Sequence, residues 1–282
     1  MDYRLNTKKR GKAQTDNTIQ GIDPLKGFAY RLDFSLPFIA NAIHAGHHVR
    51  EELLPLMALD SDQRRFEEDP CTDLMIKGLG NAVWALESRA VYDLNRSREM
   101  ALPLTPERFW GTRVYNSLPT PEMNQKSLES YESFYRFMET CIASILDQFG
   151  FCIIYDIHSY NISRQQAKGI ESPPVFNLGT ALLNKSKWKN AIELWLEQLG
   201  TISLPGIKTS VAENHVFMGK AEFCRRLSSL DDRILVLPTE ISKVYMDEKK
   251  GNVYPEKLEA VKNGLQNAIL FHVQLLKKLN RF

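Results

Sequence analysis

The 282-residue chain contains no apolar run of the roughly 18–20 residues that a membrane-spanning helix needs. The first 20 residues are polar, so they lack the hydrophobic segment of a secretory signal peptide. We therefore expect a cytoplasmic protein that has no membrane partner.

An excess of one charge is also missing, because 36 Lys and Arg residues are balanced by 34 Asp and Glu residues, for a formal net charge of +2. So small a charge argues against a dedicated nucleic-acid-binding protein. Cysteine is sparse and forms no CxxC pair. In a reducing compartment the four cysteines are expected to be free thiols: Cys71, Cys141, Cys152 and Cys224.

Several widespread catalytic motifs are absent. The sequence has no P-loop, GxGxxG, GxSxG or HExxH pattern. These absences argue against nucleotide-binding proteins with a glycine-rich phosphate-binding loop, serine hydrolases with a nucleophile elbow, and zincin metalloproteases.

Strand-like and helix-like segments alternate along the rest of the chain, without repeats, low-complexity stretches or linkers. This alternation predicts an α/β three-layer sandwich, in which a central mixed, mostly parallel sheet carries helices on both faces. We expect residues 21–282 to form a single domain and residues 1–20 to be a flexible N-terminal segment. The predicted strands are Leu36–Ile43, Ala82–Leu86, Ala90–Leu94, Phe151–Ile157 and Arg233–Leu237, and the predicted helices are Asp69–Leu79, Ser127–Phe149, Ser186–Leu199 and Glu256–Leu279.

Two histidines directly follow predicted strands: His44 in IHAGHH and His158 in DIHSY. If these strands run parallel, both imidazoles stand at the same edge of the sheet, where ligand sites of such folds lie. Imidazole is the commonest metal ligand, and a catalytic zinc site needs three protein ligands. Each histidine could instead cap its strand by bonding a backbone carbonyl.

The expected third ligand is a carboxylate from the segment RRFEEDPCTD. The acids there repel one another unless a cation is near. Asp69 could alternatively cap the helix that opens at Pro70, with the glutamates solvated. The acidic candidates are Glu67, Glu68, Asp69 and Asp73, and His47 is a rival ligand.

Further polar residues follow other predicted strands. Arg96, beside Asn95, could hold a substrate carboxylate or stabilise an oxyanion, or it could form a salt bridge to Asp93 or Glu99. Glu240 in RILVLPTEIS could be a general base beside a metal, or could cap a helix or pair with Lys243. The candidate substrate contacts are Asn95 and, in the loop ENHVFMGK, Asn214 and Lys220.

Six of these segments, taken in order, resemble the N-formylglutamate amidohydrolase family. They run from about residue 37 to residue 247: IHAG, RRFEEDPCTD, YDLNR, DIHSY, NHVFMGK and LPTEISKVYM. The resemblance implies a phosphorylase/hydrolase-like fold, shared with zinc carboxypeptidases and aspartoacylase-like enzymes. DIHSY also resembles the zinc-histidine segment of the carboxypeptidases, and YDLNR resembles their Asn-Arg segment.

This resemblance implies that His44 and His158 are metal ligands, that Glu240 is the general base, and that Arg96 binds the oxyanion or a carboxylate. It implies a metal-dependent amidohydrolase, with one Zn²⁺ as the expected cofactor. The enzyme would cleave the N-formyl or N-acyl amide of a small amino-acid substrate such as N-formylglutamate.

The resemblance also bears on the third ligand. Zinc carboxypeptidases place a glutamate three residues after the first histidine, where this sequence has His47. The formylglutamate amidohydrolases place aspartates in the segment that aligns with EEDPCTD. We therefore predict Asp69 as the third ligand, ahead of Glu68, Asp73 and His47.

Two other functions remain open from the sequence. One is a carboxypeptidase-like or aspartoacylase-like deacylase that acts on another N-acyl amino acid or a peptide. The other is a non-catalytic protein that binds a small ligand on the same scaffold.

Overall fold

The structure, a computed structural model, describes residues 18–279. Within this range eight strands form one mixed sheet in the order β1-β2-β4-β3-β5-β8-β6-β7. The strands are β1 (Ile19–Ile22), β2 (Phe28–Leu32), β3 (Phe38–Ala42), β4 (Asn81–Ala85), β5 (Cys152–Tyr160), β6 (Phe176–Leu178), β7 (Val211–Glu213) and β8 (Ile234–Ser242).

Helices cover both faces of this sheet. Helices α2, α5 and α7 pack on one face through apolar residues such as Met75, Trp195 and Ile269. Helices α3 and α6 pack on the other face through residues such as Phe134 and Phe223. The predicted three-layer α/β sandwich is therefore confirmed. The helices are α1 (Ser61–Glu67), α2 (Thr72–Ile76), α3 (Pro121–Phe149), α4 (Ile162–Ala167), α5 (Lys185–Gly200), α6 (Glu222–Ser228) and α7 (Pro255–Leu279), with short 3₁₀ turns at Leu54–Leu56 and Pro106–Phe109.

The four central strands, β4, β3, β5 and β8, are mutually parallel. Strands β3 and β5 are in register with Asn41 opposite Asp156, so the chain leaves both strands at the same edge of the sheet. Every residue of β3 and β5 is buried, as expected for strands covered on both faces. This arrangement brings the segments that contain His44 and His158 together.

Strands β5 and β8 extend further than the sequence pattern predicts. The apolar runs end at Ile157 and Leu237, but the two strands stay paired as far as Tyr160 opposite Ser242. His158 and Glu240 therefore lie inside strands and not after them. Polar residues are tolerated there because these strand ends line a cavity.

The predicted strand at Ala90–Leu94 is wrong, because this segment is a series of turns. Its main-chain N–H groups donate to carbonyls of nearby turns and not to a neighbouring strand: Val91 N donates to Ser88 O, and Asp93 N donates to Ala101 O. The Ser88 hydroxyl also accepts from Ala90 N. Side chains that bond nearby main chain compete with strand pairing in this way.

The N-terminal segment predicted to be flexible falls mostly outside the described residues, which begin at Thr18. Ile19 and Gln20 belong to β1, which pairs with β2. In the described part of the chain, no helix is both long and apolar enough to span a membrane. Within the same part, all four cysteines are free thiols.

Candidate active site

The carboxylate of Asp69 lies between the imidazoles of His44 and His158. Asp69 Oδ2 accepts a hydrogen bond from His158 Nδ1 at 3.0 Å and lies 3.4 Å from His44 Nδ1. The two ring centroids are 4.8 Å apart, and all three side chains are buried. The structure thus brings together the three residues that the sequence predicts as metal ligands.

These residues fit a divalent cation. One ligand atom from each lies within 4.8 Å of the others. His44 Nδ1 is buried without a hydrogen-bond partner among the described residues, which is a cost that a bound cation would remove. Two imidazole nitrogens and a carboxylate oxygen are also a donor set that zinc uses in catalytic sites.

The second nitrogen of each imidazole faces another buried carboxylate. His44 Nε2 donates to Asp93 Oδ1 at 2.8 Å, and His158 Nε2 lies 3.0 Å from Asp156 Oδ1. Metal-binding histidines commonly have such a carboxylate behind them, which fixes the ring and its tautomer. Arg89 in turn donates twice to Asp93 Oδ2.

Electrostatics keep Asp69 charged. Burial opposes ionisation, but the hydrogen bond from His158 and the positive charges of both histidines hold the pKa of this carboxyl well below its ordinary value. A carboxylate that remains ionised in a buried site is suited to bind a cation.

The rival ligands are engaged elsewhere. Glu68 accepts from Ser88 Oγ and from His47 Nδ1, whose other ring nitrogen contacts Ser61 Oγ at 2.9 Å. Asp73 forms a salt bridge with Lys77, and both carboxylate oxygens of Glu67 accept hydrogen bonds from the Arg164 guanidinium.

Asp69 is not a helix cap, contrary to the alternative interpretation of its sequence. Helix α2 begins at Thr72, after Cys71 in the left-handed region at φ 69°, and no side chain caps it. The main-chain carbonyl of Asp69 accepts from Thr72 N, which leaves its carboxylate free for the histidines.

The loop that carries Asp69 is fixed from several sides. Asp69 N donates to His44 O at 2.9 Å. The buried Lys243 Nζ donates to Phe66 O and Glu68 O, and Tyr245 Oη donates to Pro70 O. These bonds place the carboxylate without any contribution from a cation.

Glu240 lies next to His158, because the two residues are register partners on β5 and β8. Burial raises the pKa of Glu240 to about 8, although the charge of His158 opposes this shift. The alternative pairing with Lys243 does not occur, since that ammonium donates to main-chain carbonyls.

These groups line a cavity of about 640 Å³, which Asn95, Arg96 and Lys220 also line. Arg96 pairs with no carboxylate within the described residues, and its guanidinium lies 5.7 Å from the ring centroid of Trp110. The alternative of a salt bridge from Arg96 to Asp93 does not occur, because Arg89 pairs with Asp93 instead.

The predicted substrate contacts Asn95 and Asn214 have structural partners. Asn95 lines the cavity, and its Oδ1 accepts from Phe223 N at the start of α6. Asn214 does not line the cavity. Its amide instead bonds Thr180 twice, from Thr180 N to Oδ1 and from Nδ2 to Thr180 Oγ1. These bonds stabilise the turn after β7, where Asn214 has φ 55°.

Sequence reasoning missed several residues of this site, among them Arg89, Asp93, Trp110 and Asp156. Asp93 and Asp156 stand inside YDLNR and DIHSY, so the presence of an acid near each key residue was a usable signal. Arg89 and Trp110 are far apart in sequence. The Arg89 guanidinium lies 4.1 Å from the ring centroid of Trp110, and nothing in the local sequence predicts this contact.

Solved structures share this architecture. An N-formylglutamate amidohydrolase from Ralstonia eutropha JMP134 aligns at a TM-score of 0.74 and 16% identity, over 89% of this chain and 99% of that one. A gene product from Agrobacterium tumefaciens aligns at a TM-score of 0.63 and 16% identity, over 92% and 96% of the two chains. A metallo-carboxypeptidase from Burkholderia cenocepacia reaches a TM-score of only 0.41 at 15% identity, over 92% and 65%.

At these identities, the first two structures establish a common fold and nothing more. No curated protein sequence matches the chain significantly. The sequence model of the N-formylglutamate amidohydrolase family, however, matches residues 36–246, which is more than half of the chain and includes all three candidate ligands. The chain therefore belongs to the N-formylglutamate amidohydrolase family, and this membership supports an amidohydrolase activity.

Proposed function

We propose that this protein is a metal-dependent amidohydrolase that hydrolyses the N-formyl or N-acyl amide of an amino acid such as N-formylglutamate. The observation that carries the proposal is the position of the Asp69 carboxylate between His44 Nδ1 and His158 Nδ1. A divalent cation, for which we propose Zn²⁺, would be held by these three residues and would supply Lewis-acid chemistry, polarising a carbonyl and lowering the pKa of water.

Glu240 is the proposed general base. It accepts a proton from the water that attacks the amide carbonyl, and it then returns this proton to the leaving amine. Its position beside His158 supports this role. Its pKa of about 8 supports the second of these steps, because a carboxyl with such a pKa can hold the proton near neutral pH until the amine leaves.

Arg96 is the proposed partner of an anionic group of the substrate, either the oxyanion of the tetrahedral intermediate or a carboxylate. Its guanidinium lines the cavity and has no acidic partner among the described residues, so its charge is available. Arg89 has its charge balanced by Asp93, so we assign it to support of the His44 side of the site.

Metal analysis combined with a substrate panel tests the proposal. The purified protein should contain one divalent metal per chain, and it should release formate from N-formyl-L-glutamate. Hydrolysis of N-acetyl amino acids or peptides in place of formyl substrates would favour the deacylase alternative. Protein that binds glutamate but hydrolyses no member of the panel would be a ligand-binding protein, and the proposed function would be wrong.

A further inference from the structure

Asn161 and Lys243 lie side by side in the wall of the same cavity and share one main-chain partner. Asn161 Nδ2 and Lys243 Nζ both donate to the carbonyl oxygen of Phe66, at 2.8 and 2.9 Å. The two residues are only 5% and 3% exposed, so each is shielded from bulk water. Neither residue has a role in the proposed chemistry described above.

Asn161 has an oxygen without a partner. The bond from Nδ2 to Phe66 O fixes the orientation of the amide, so Oδ1 is the remaining acceptor, and it is buried without a hydrogen bond among residues 18–279. Asparagine at this position before a helix commonly caps it. Here the carboxylate of Glu248 accepts from Ile162 N and Ser163 N at the start of α4, so Asn161 Oδ1 is not needed there.

The Lys243 ammonium forms no direct ion pair with any described residue. Two of its N–H groups donate to main-chain carbonyls, those of Phe66 and Glu68. In the described part of the chain, no carboxylate oxygen lies within 4.0 Å of Lys243 Nζ, the distance at which the two groups would form an ion pair. A buried ammonium is costly unless anions compensate it, and Asp69, Glu67 and Glu248 act on Lys243 only from beyond ion-pair distance. An ammonium has three N–H groups, so one remains for a ligand in the cavity that Lys243 lines.

We propose that Asn161 Oδ1 and Lys243 Nζ form a subsite for the amide N–H and the α-carboxylate of an N-acyl amino acid. The inference rests on the proposed function and deepens it. In such a substrate the N–H and the carboxylate are attached to the same carbon atom, and the two side chains are held together by the same carbonyl oxygen. Asn161 Oδ1 would accept a hydrogen bond from the amide N–H, and the Lys243 ammonium would pair with the α-carboxylate.

The charge of Lys243 is tested with Lys243→Gln and two substrates, N-formyl-L-glutamate and its α-carboxamide. The wild-type KM should be lower for the acid by a factor of about 10 to 100, which corresponds to a hydrogen bond with a charged group. Lys243→Gln should remove this preference by raising the KM of the acid alone. The matched control is Lys189→Gln, an exposed lysine on α5. Equal effects on both substrates would mean that Lys243 acts only by holding the Asp69 loop, and would overturn the assignment.

The acceptor is tested with Asn161→Ala and an N-methylated substrate that lacks the donor. Asn161→Ala should raise the KM of N-formyl-L-glutamate by about 3- to 10-fold and leave that of N-formyl-N-methyl-L-glutamate unchanged. Asn184→Ala is the control, because Asn184 Oδ1 does cap α5 and its loss should lower stability only. An equal rise for both substrates would overturn the role of Asn161.

Calorimetric titration with L-glutamate separates this subsite from the proposed reaction. Binding that weakens at least about 10-fold in Lys243→Gln supports the subsite even if no substrate is hydrolysed. Hydrolysis accompanied by glutamate binding that neither substitution weakens overturns the subsite and leaves the function. If Lys243→Gln does not fold, equal wild-type affinities for glutamate and its α-carboxamide would also overturn it.

Discussion

The main-chain N–H of Asp69 donates to the carbonyl oxygen of His44 at 2.9 Å, so two residues that are distant in sequence are joined through their backbones as well as through their side chains. Together with the bonds from Lys243 and Tyr245, this link fixes the Asp69 loop. The site is therefore preorganised, and binding of a cation should not require the loop to fold.

His158→Ala should remove one of three proposed ligands and abolish both metal binding and hydrolysis. Metal content per chain and formate release measure the two effects. His215→Ala is the matched control, because His215 is an exposed histidine outside the cavity lining. A His158→Ala protein that retains stoichiometric metal would contradict the ligand assignment.

Glu240→Gln should retain the metal and lose turnover by a factor of about 10² to 10⁴, the usual contribution of a general base. The isosteric amide cannot accept the proton, while the three proposed ligands are unchanged. Single-turnover kinetics and metal analysis on the same sample give the comparison. Normal hydrolysis by this variant would show that another group is the base.

The same substitution should change how the stability of the chelator-treated, metal-free protein depends on pH. The pKa of Glu240 is about 8 in the folded protein, above its ordinary value of 4.5, so ionisation destabilises the fold increasingly between these values. Glu240→Gln should therefore stabilise the protein above pH 8, by about 2 to 4 kcal/mol, and have no such effect below about pH 4.5. Urea unfolding at several pH values measures this, and a pH-independent difference would contradict the shift.

Asp93→Asn should weaken metal binding by about 10- to 100-fold, because the carboxylate behind a metal-binding histidine orients the ring and raises its basicity. Competition with a chelator gives the affinity. Asp231→Asn is the control, since Asp231 forms an exposed pair with Arg233. Unchanged affinity in Asp93→Asn would mean that His44 does not depend on this partner.

Arg96→Ala should lower kcat/KM by about 10²- to 10³-fold if its guanidinium stabilises the oxyanion. A change confined to KM would instead assign it to a substrate carboxylate. Arg98→Ala, which removes an exposed arginine paired with Glu132, should have little effect. Full activity in Arg96→Ala would exclude both roles.

The sequence was sufficient to predict the layers of the fold and the meeting of His44 with His158. Both results follow from long apolar segments, which predict buried strands and helices directly. The short strands β1, β2, β6 and β7 were not predicted, because none of them contains an uninterrupted apolar run such as Ala82–Leu86. Helix α3 also begins earlier than predicted, at Pro121, because the capping residue Thr120 and not the apolar pattern sets its start.

Local sequence cannot determine which acid of the segment RRFEEDPCTD lies between the two histidines. Glu68 and Asp69 are adjacent and both buried, yet Glu68 points to Ser88 and His47 while Asp69 points to the two candidate histidine ligands. That difference depends on main-chain direction in an irregular loop. Family resemblance, and not periodicity, favoured Asp69.

His158 and Glu240 are held by hydrogen-bonded neighbouring strands, so the spacing between their backbones is set by the sheet. Deleting one residue within β5 would turn the side chains beyond the deletion towards the opposite layer. Length changes carry no such penalty in a cavity-lining loop that holds no candidate ligand, such as the one that contains Lys220. The cavity could therefore be reshaped through such a loop while His158 and Glu240 keep their places on the two strands.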